Sequence, residues 1–263
     1  MDEANAVLVD RRDRVAVITV HAPATRNALT LDLSAELADA VAGCDEDENV
    51  HAVVVTGTPP AFCAGADLTA LGEATEDGLH RIYAGFLAVA NCGLPTVAAV
   101  GGAAVGAGLN LALACDVRIA GPRARFDARF LELGIHPGGG MTWMLQRIVD
   151  SQTAAALTLF GEVTDAAEAQ RVGLVHRVID GEHTELVDAA VRMAGAAGRA
   201  PRALVRTTKH TLRHTRTLAA HDDAVRVELA AQLDSLNSPE FAERLAAMRA
   251  KTSGANKAGG DRP

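Results

Sequence analysis

Four short runs, "VAVITV" (15–20), "AVVVT" (52–56), "TVAAV" (96–100) and "CDVRIA" (115–120), constrain the fold of this chain more than any other feature. Each is short, mainly apolar and supplied with valine or isoleucine. Such runs are strands covered on both faces, the condition of a parallel sheet with helices on either side. The segments between them carry helical spacing. In "LDLSAELADAVAGC" the residues Leu37, Val41 and Cys44 recur at intervals of three and four, and Thr30 stands where an N-cap belongs. Strand and helix alternate in the order of an α/β domain.

After Pro137 the pattern changes. "MTWMLQRIV", "SQTAAALTLF" and "DAAEAQRVG" read as helices, the last opened by the capping pair Asp165 and Glu168, and "LVHRVI" reads as one more strand. From about residue 183 every segment reads as helix, with Pro201 and Pro239 at helix starts. The closing "TSGANKAGGDRP" is small and polar, the composition of a disordered tail. With 263 residues, 49% of them hydrophobic, the chain can bury a full core.

Charge and cysteine usage narrow the function. A net charge of −8 without a basic block argues against nucleic acid and against an anionic membrane surface. The cysteines Cys44, Cys63, Cys92 and Cys115 are far apart and form no C-x-x-C pair, so neither a disulfide framework nor a zinc site is indicated. The opening "MDEANAVLVDRRD" is acidic before any apolar run, unlike a secretory signal, and no stretch reaches the ~18 apolar residues of a membrane span. A cytoplasmic protein with reduced thiols is expected.

Two small-residue turns invite a ligand. "GGAAVGAGLNLAL" is not a dinucleotide fingerprint, because Leu111 stands where the third glycine after Gly106 and Gly108 would be, and no Lys-Ser/Thr follows as a P-loop requires. It leads instead into a helix over about 107–115 whose first amides lack intrahelical acceptors and lie at the positive end of the helix dipole. Amides so placed hold an anion or a developing oxyanion. The second turn, "PPAFCAGADLTAL", follows the strand "AVVVT" and offers the amide of Ala66 as a further donor. Either turn alone also fits an ordinary strand-to-helix loop.

Taken with "PATRNALT" and "GPRARFDARFLELGIHPGGGMTW", the two turns resemble the crotonase family, also called the enoyl-CoA hydratase/isomerase family, and the resemblance runs on to "TDAAEAQRVGLVHRVI". It implies an α/β fold: a crotonase-like spiral of β-β-α units over 1–195, a helical C-terminal region over 196–250 that packs between subunits, and a disordered tail over 251–263. The assembly implied is a homotrimer or a dimer of trimers. The ligand implied is an acyl-CoA thioester, with coenzyme A as part of the substrate, no separate cofactor and no metal. By the same resemblance Arg26, Ala28 and Leu29 of "RNAL", with Ala64, Asp67 and Leu68 of "CAGADL", fall where the family holds the adenine, phosphates and pantetheine. The amides of Ala66 and Ala107 fall on the thioester oxygen, where they would stabilise an enolate.

Hydratases of this family carry two glutamates that handle the water and the α-proton. Their positions fall on Asn110 and Phe130 here, and Gly138 occupies the place where some relatives carry an aspartate. Asn can orient a water or a carbonyl but does not exchange a proton near neutral pH, and Phe does neither. Asn110 is expected to line the site, and Phe130 with Trp143 to bound an apolar acyl site or to pack in the core. Glu132, which shares the face of Phe130 if the segment is extended, His136 and Asp127 are the remaining proton-transfer candidates. His210 and His214 share a helix face, but Thr211 replaces the glutamate of a metalloprotease. Arg206 and Lys209 are further cations in the helical region. The reading is an acyl-CoA-binding enzyme of the enoyl-CoA hydratase/isomerase type without the two glutamates; the alternative is an acyl-CoA carrier or sensor without turnover.

Overall fold

The computed structural model describes residues 4–73 and 75–258, with side chains to residue 251. The chain forms two compact units, 1–199 and 200–263. In chain order the first contains β1 (Ala6–Arg12), β2 (Val15–His21), α1 (Leu31–Glu46), β3 (Ala52–Gly57), α2 (Leu68–Gly72), α3 (Glu76–Asn91), β4 (Thr96–Val100), β5 (Ala103–Val105), α4 (Ala107–Ala114), β6 (Val117–Ala120) and β7 (Arg125–Asp127). There follow α5 (Met141–Leu145), α6 (Ser151–Leu159), β8 (Thr164–Asp165), α7 (Ala166–Arg171), β9 (Arg177–Val178) and α8 (His183–Gly198). The second unit holds α9 (Arg202–Thr215), α10 (His221–Leu236) and α11 (Pro239–Ala258).

The four apolar runs form the middle of a six-stranded sheet ordered β1-β2-β3-β4-β6-β9, parallel throughout except for the antiparallel β1. Alternation along each strand divides its side chains between two layers. Ala16, Ile18, Val20, Val53, Val55, Ala98 and Val100 pack toward Leu33, Leu37, Val41 and Cys44 of α1. Val15, Val17, Ala52, Val54, Val97, Ala99 and Ile119 pack toward Leu186, Val187, Ala190 and Ala194 of α8. Both faces are covered, which is why β2, β3 and β4 are apolar along nearly their whole length. Thr30 caps α1 by accepting from the Leu33 N–H at 3.1 Å, and Asp165 caps α7 by accepting from Glu168 at 2.9 Å.

A smaller sheet, β5-β7-β8, runs beside the large one and is extended by two isolated parallel bridges, Cys63 with Ala104 and Leu29 with Ala66. Three strands of the large sheet are each followed by a short extended segment that joins the smaller one: β3 by 63–66, β4 by β5, β6 by β7. Each such segment lies parallel to its predecessor. This is the spiral of β-β-α turns, and its second strand is so short that backbone pairing, not side-chain pattern, defines it.

Three features go beyond what the sequence showed. The acidic opening contains an edge strand, β1. The segment after Phe130 is not extended: Arg129 has φ 57° and Gly134 φ 72°, and the Ile135 N–H returns to the Phe130 carbonyl at 3.0 Å. The resulting turn leaves Leu131 and Leu133 about half exposed. Finally, α11 continues to Ala258, so the stretch read as a tail from 251 is helical over its first residues, and 259–263 lie outside the described residues. Among the described residues no helix is long and apolar enough to cross a membrane.

Candidate active site

The bridge between Cys63 and Ala104 fixes the register of two turns, so Ala66 and Ala107, each three residues further on, emerge side by side. Their closeness is visible at Gly65: a Cβ there would lie 3.0 Å from the Val105 carbonyl oxygen and 3.9 Å from the Ala107 nitrogen. Gly65 adopts φ 112° and Gly106 φ 52°, conformations that favour glycine. At Gly108 the contact is tighter, since a Cβ would stand 2.0 Å from the Cys63 carbonyl oxygen. Glycine lets the first turn of α4 rest directly on the backbone of the other turn.

The two N–H groups are free to act on a ligand. Leu29 donates to the Gly65 carbonyl at 2.8 Å and accepts from the Asp67 N–H at 2.9 Å. In an extended chain this alternation turns the Ala66 N–H to the opposite side, toward β5 and α4. Ala107 is the first residue of α4 and has no intrahelical acceptor. Neither N–H has an acceptor among the described residues. The helix behind Ala107 is wholly buried, and at its other end the guanidinium of Arg118 donates to the carbonyls of Cys115 (2.8 Å) and Ala112 (3.4 Å). A cation at the C-terminus and free amides at the N-terminus complement the same helix dipole. Burial lowers the pKa of Arg118.

The remaining expected contact residues divide by what they have to offer. Arg26 is exposed, in a left-handed conformation at φ 55°, and its carbonyl accepts from the Ala64 N–H at 3.0 Å. Ala28 and Ala64 are partly buried. Leu29 is fully buried with its N–H and C=O both engaged, so it braces the turn and has no group left for a ligand. Asp67 caps α2, accepting from the amides of Thr69 (3.1 Å) and Ala70 (3.0 Å), while Leu68 projects outward, 67% exposed. Phe130 is partly buried against the core, whereas Trp143 is exposed on α5 with the Arg147 guanidinium 3.9 Å from its ring centroid. Trp143 therefore does not share an apolar enclosure with Phe130. Arg206 and Lys209 lie on α9, in the second unit.

Asn110 is buried at 1% exposure on the first turn and a half of α4. Its Nδ2 donates to the Gly138 carbonyl at 3.0 Å, and its Oδ1 has no hydrogen-bond partner. None of the three remaining proton-transfer candidates joins it. The carboxylate of Asp127 is held by the Arg129 guanidinium, and the Asp127 carbonyl accepts from the Gly106 N–H at 2.9 Å. Glu132 faces outward with its side chain 73% exposed, 3.5 Å from the same Arg129. His136 is exposed, its Nδ1 2.7 Å from the Pro137 carbonyl oxygen. Cys63 supplies no nucleophile, because burial pushes its thiol up to about 12. Among the described residues no cluster of His, Cys, Asp and Glu could hold a metal ion.

Two residues of the site escaped the sequence reading. Asn27, fully buried at φ 59°, accepts from the Ala22 N–H (2.9 Å) and donates to the carbonyls of Thr58 (2.7 Å) and Ala61 (2.8 Å). It ties the Arg26 turn to the loop that leads to Ala66. Asn27→Ala leaves these buried groups unpaired and removes a residue suited to positive φ, so about 2 kcal/mol of stability should be lost. A fall in Tm of about 4–8 °C in a thermal melt is expected. Tyr83, on α3, packs against Phe86 with ring centroids 5.4 Å apart and the planes tilted by 43°, and a Cβ at Gly138 would lie 2.3 Å from its hydroxyl oxygen. It thus borders the same backbone that Asn110 grips.

A spiral of β-β-α turns that brings two free amides together at a helix N-terminus defines a crotonase-type fold. A family model described as "Enoyl-CoA hydratase/isomerase" matches residues 10–251. The chain belongs to the enoyl-CoA hydratase/isomerase family. It is 53% identical over 256 residues to "Probable enoyl-CoA hydratase echA14" of Mycobacterium tuberculosis, covering 94% of this chain and 98% of that one. It is 35% identical over 218 residues to the 2,3-dehydroadipyl-CoA hydratase of Escherichia coli, covering 81% and 84%. A crystal structure of an enoyl-CoA hydratase from Bacillus anthracis superposes with a TM-score of 0.87 at 28% identity, covering 93% of this chain and 96% of that one.

Proposed function

We propose that this protein is an enzyme that binds an acyl-CoA thioester, with its carbonyl oxygen between the N–H groups of Ala66 and Ala107, and acts on the enoyl or acyl chain through the enolate. The observation that carries the reading is the pair of unpaired amides in fixed register. Attack of water at C3 of an enoyl thioester with loss of its proton to solvent, or loss of a C2 proton to solvent, gives an enolate with negative charge on the carbonyl oxygen, and hydration is completed when a solvent proton adds at C2. Two donors already oriented toward that oxygen stabilise the charge without reorganising. The two carboxylates of a hydratase are replaced by Asn110 and Phe130, and Asp127 and Glu132 are engaged by Arg129. Catalysis then rests on electrostatic stabilisation, with Asn110 able to orient a water but not to take its proton.

The groups that would meet the coenzyme moiety are those of the 26–29 and 64–68 turns, with Arg26 as a cation available to a phosphate. Three-fold assembly is part of the same reading. Leu159, Phe160 and Val163 are 64%, 82% and 51% exposed on one short stretch, more apolar surface than a solvated loop ordinarily shows.

Hydration of crotonyl-CoA tests the reading. Wild type should consume the conjugated enoyl absorbance more slowly than a two-glutamate hydratase, with a rate that does not fall on titration through the carboxylate range near about pH 4–5. A rate that collapses as pH drops through that range would show a carboxylate in the chemistry. Failure to bind either crotonyl-CoA or butyryl-CoA would remove the function altogether.

A further inference from the structure

Arg118 is a buried cation for which the proposed chemistry has given no use. It lies on β6 at 8% exposure, and among the described residues its hydrogen bonds go to main-chain carbonyls alone: Leu174 at 2.7 Å, Cys115 at 2.8 Å and Ala112 at 3.4 Å. Leu174 belongs to the turn between α7 and β9, and Ala112 and Cys115 to the last turn and C-cap of α4. Neutral acceptors leave the charge uncancelled. Asp116 attracts it through space, but that carboxylate is exposed and accepts from the N–H (2.8 Å) and the hydroxyl (3.0 Å) of Thr96. A neutral donor would cap the same carbonyls without the cost of burying a charge.

We propose that Arg118 is a positioning residue of the thioester site, whose charge acts along α4 to raise the positive potential at the Ala107 N–H. The inference rests on the placement of the thioester oxygen at that N–H. The eight residues of α4 span about 12 Å, from the guanidinium at one end to the free amide at the other. All eight are buried, so solvent screens little of the field between the ends. The cation sits at the negative end of the helix dipole and therefore adds to the potential at the positive end. At about 12 Å and an effective dielectric of about 20, one unit charge favours an enolate oxygen by about five- to tenfold. The carbonyl oxygen of an unreacted thioester carries only a fraction of that charge, so the rate should respond more than the affinity.

The full-length protein with butyryl-CoA labelled with ¹³C at its carbonyl tests the proposal. This ester has no double bond to hydrate, and its carbonyl resonance reports polarisation of the bound thioester; kcat for crotonyl-CoA hydration is measured beside it. Wild type should move the resonance downfield on binding. Arg118→Gln keeps a donor for the carbonyls and removes the charge. It should return the resonance toward its free position and lower kcat about five- to tenfold, with butyryl-CoA affinity within about twofold of wild type. Arg118→Lys keeps the charge and should keep the resonance and most of kcat. An unchanged resonance and kcat in Arg118→Gln would overturn the proposal, and so would equal losses in the two variants, which would make Arg118 only a cap. Where Arg118→Gln does not fold, the resonance in Arg118→Lys decides: retained, it supports the role of charge, and lost, it overturns it. Unfolding of both variants would also overturn the proposal, because the fold itself would then require the guanidinium. Failure of butyryl-CoA to bind wild type would overturn the thioester reading and this one together, whereas binding with no change in resonance would overturn the placement at Ala107.

Discussion

Replacing Ala107 by proline should lower kcat for crotonyl-CoA hydration by about 10²–10³ while leaving the fold nearly as stable as before. The substitution deletes a single N–H. Ala107 is the first residue of α4, where proline is tolerated because that N–H serves no intrahelical carbonyl and helical φ suits the ring. The preceding residue, Gly106, is at φ 52° and has no Cβ to clash with the ring. A structural loss and a chemical loss therefore separate. Ala107→Gly keeps the N–H and should keep most of the rate. If Ala107→Pro hydrates crotonyl-CoA within about threefold of wild type at an unchanged Tm, that amide does not bear the developing charge.

Gly108→Ala should damage the site with a single methyl group. The added carbon would stand 2.0 Å from the Cys63 carbonyl oxygen and 2.8 Å from its carbon, both backbone atoms that no rotamer change can move. Relief requires α4 to withdraw from the 61–65 turn, at a cost of about 3 kcal/mol. A Tm lowered by about 6–12 °C is expected. The withdrawal would also part the Ala66 and Ala107 amides, so affinity for crotonyl-CoA should fall with stability. Gly43 supplies the contrast, a glycine in the last turn of α1 with nothing within 4 Å of a Cβ. Gly43→Ala should stabilise by about 0.5–1 kcal/mol. Equal melting temperatures for Gly108→Ala and wild type would show that the two turns are not wedged together by this contact.

The large sheet was legible because its strands are buried on both faces, so that four of the five positions of "AVVVT" are apolar and none faces solvent. Caps were legible for a similar reason: Thr30 and Asp165 each satisfy a donor a few residues away in the chain. The smaller sheet was not, since 63–66 and 103–105 pair through main-chain groups that any small residue supplies. Whether Glu132 shares the face of Phe130 depended on "FLELG" being extended, and positive φ at Arg129 and Gly134 closes it into a turn and carries Glu132 out to Arg129. Asn27 was read past as a loop residue between Arg26 and Ala28. Its signal was the preference of Asn for left-handed backbone, which means little until the carbonyls of Thr58 and Ala61 are seen to converge on it.

The pairing of Cys63 with Ala104 has a consequence for how such a protein can change over time. Side chains on either turn can be exchanged freely so long as they remain small, yet adding or removing one codon between 63 and 66, or between 104 and 107, would slide one peptide past its counterpart by a full residue. Descendants of this gene can therefore drift in composition across these turns but are held to a constant count, and any tolerated insertion is expected where the chain has already left them, beyond Leu68.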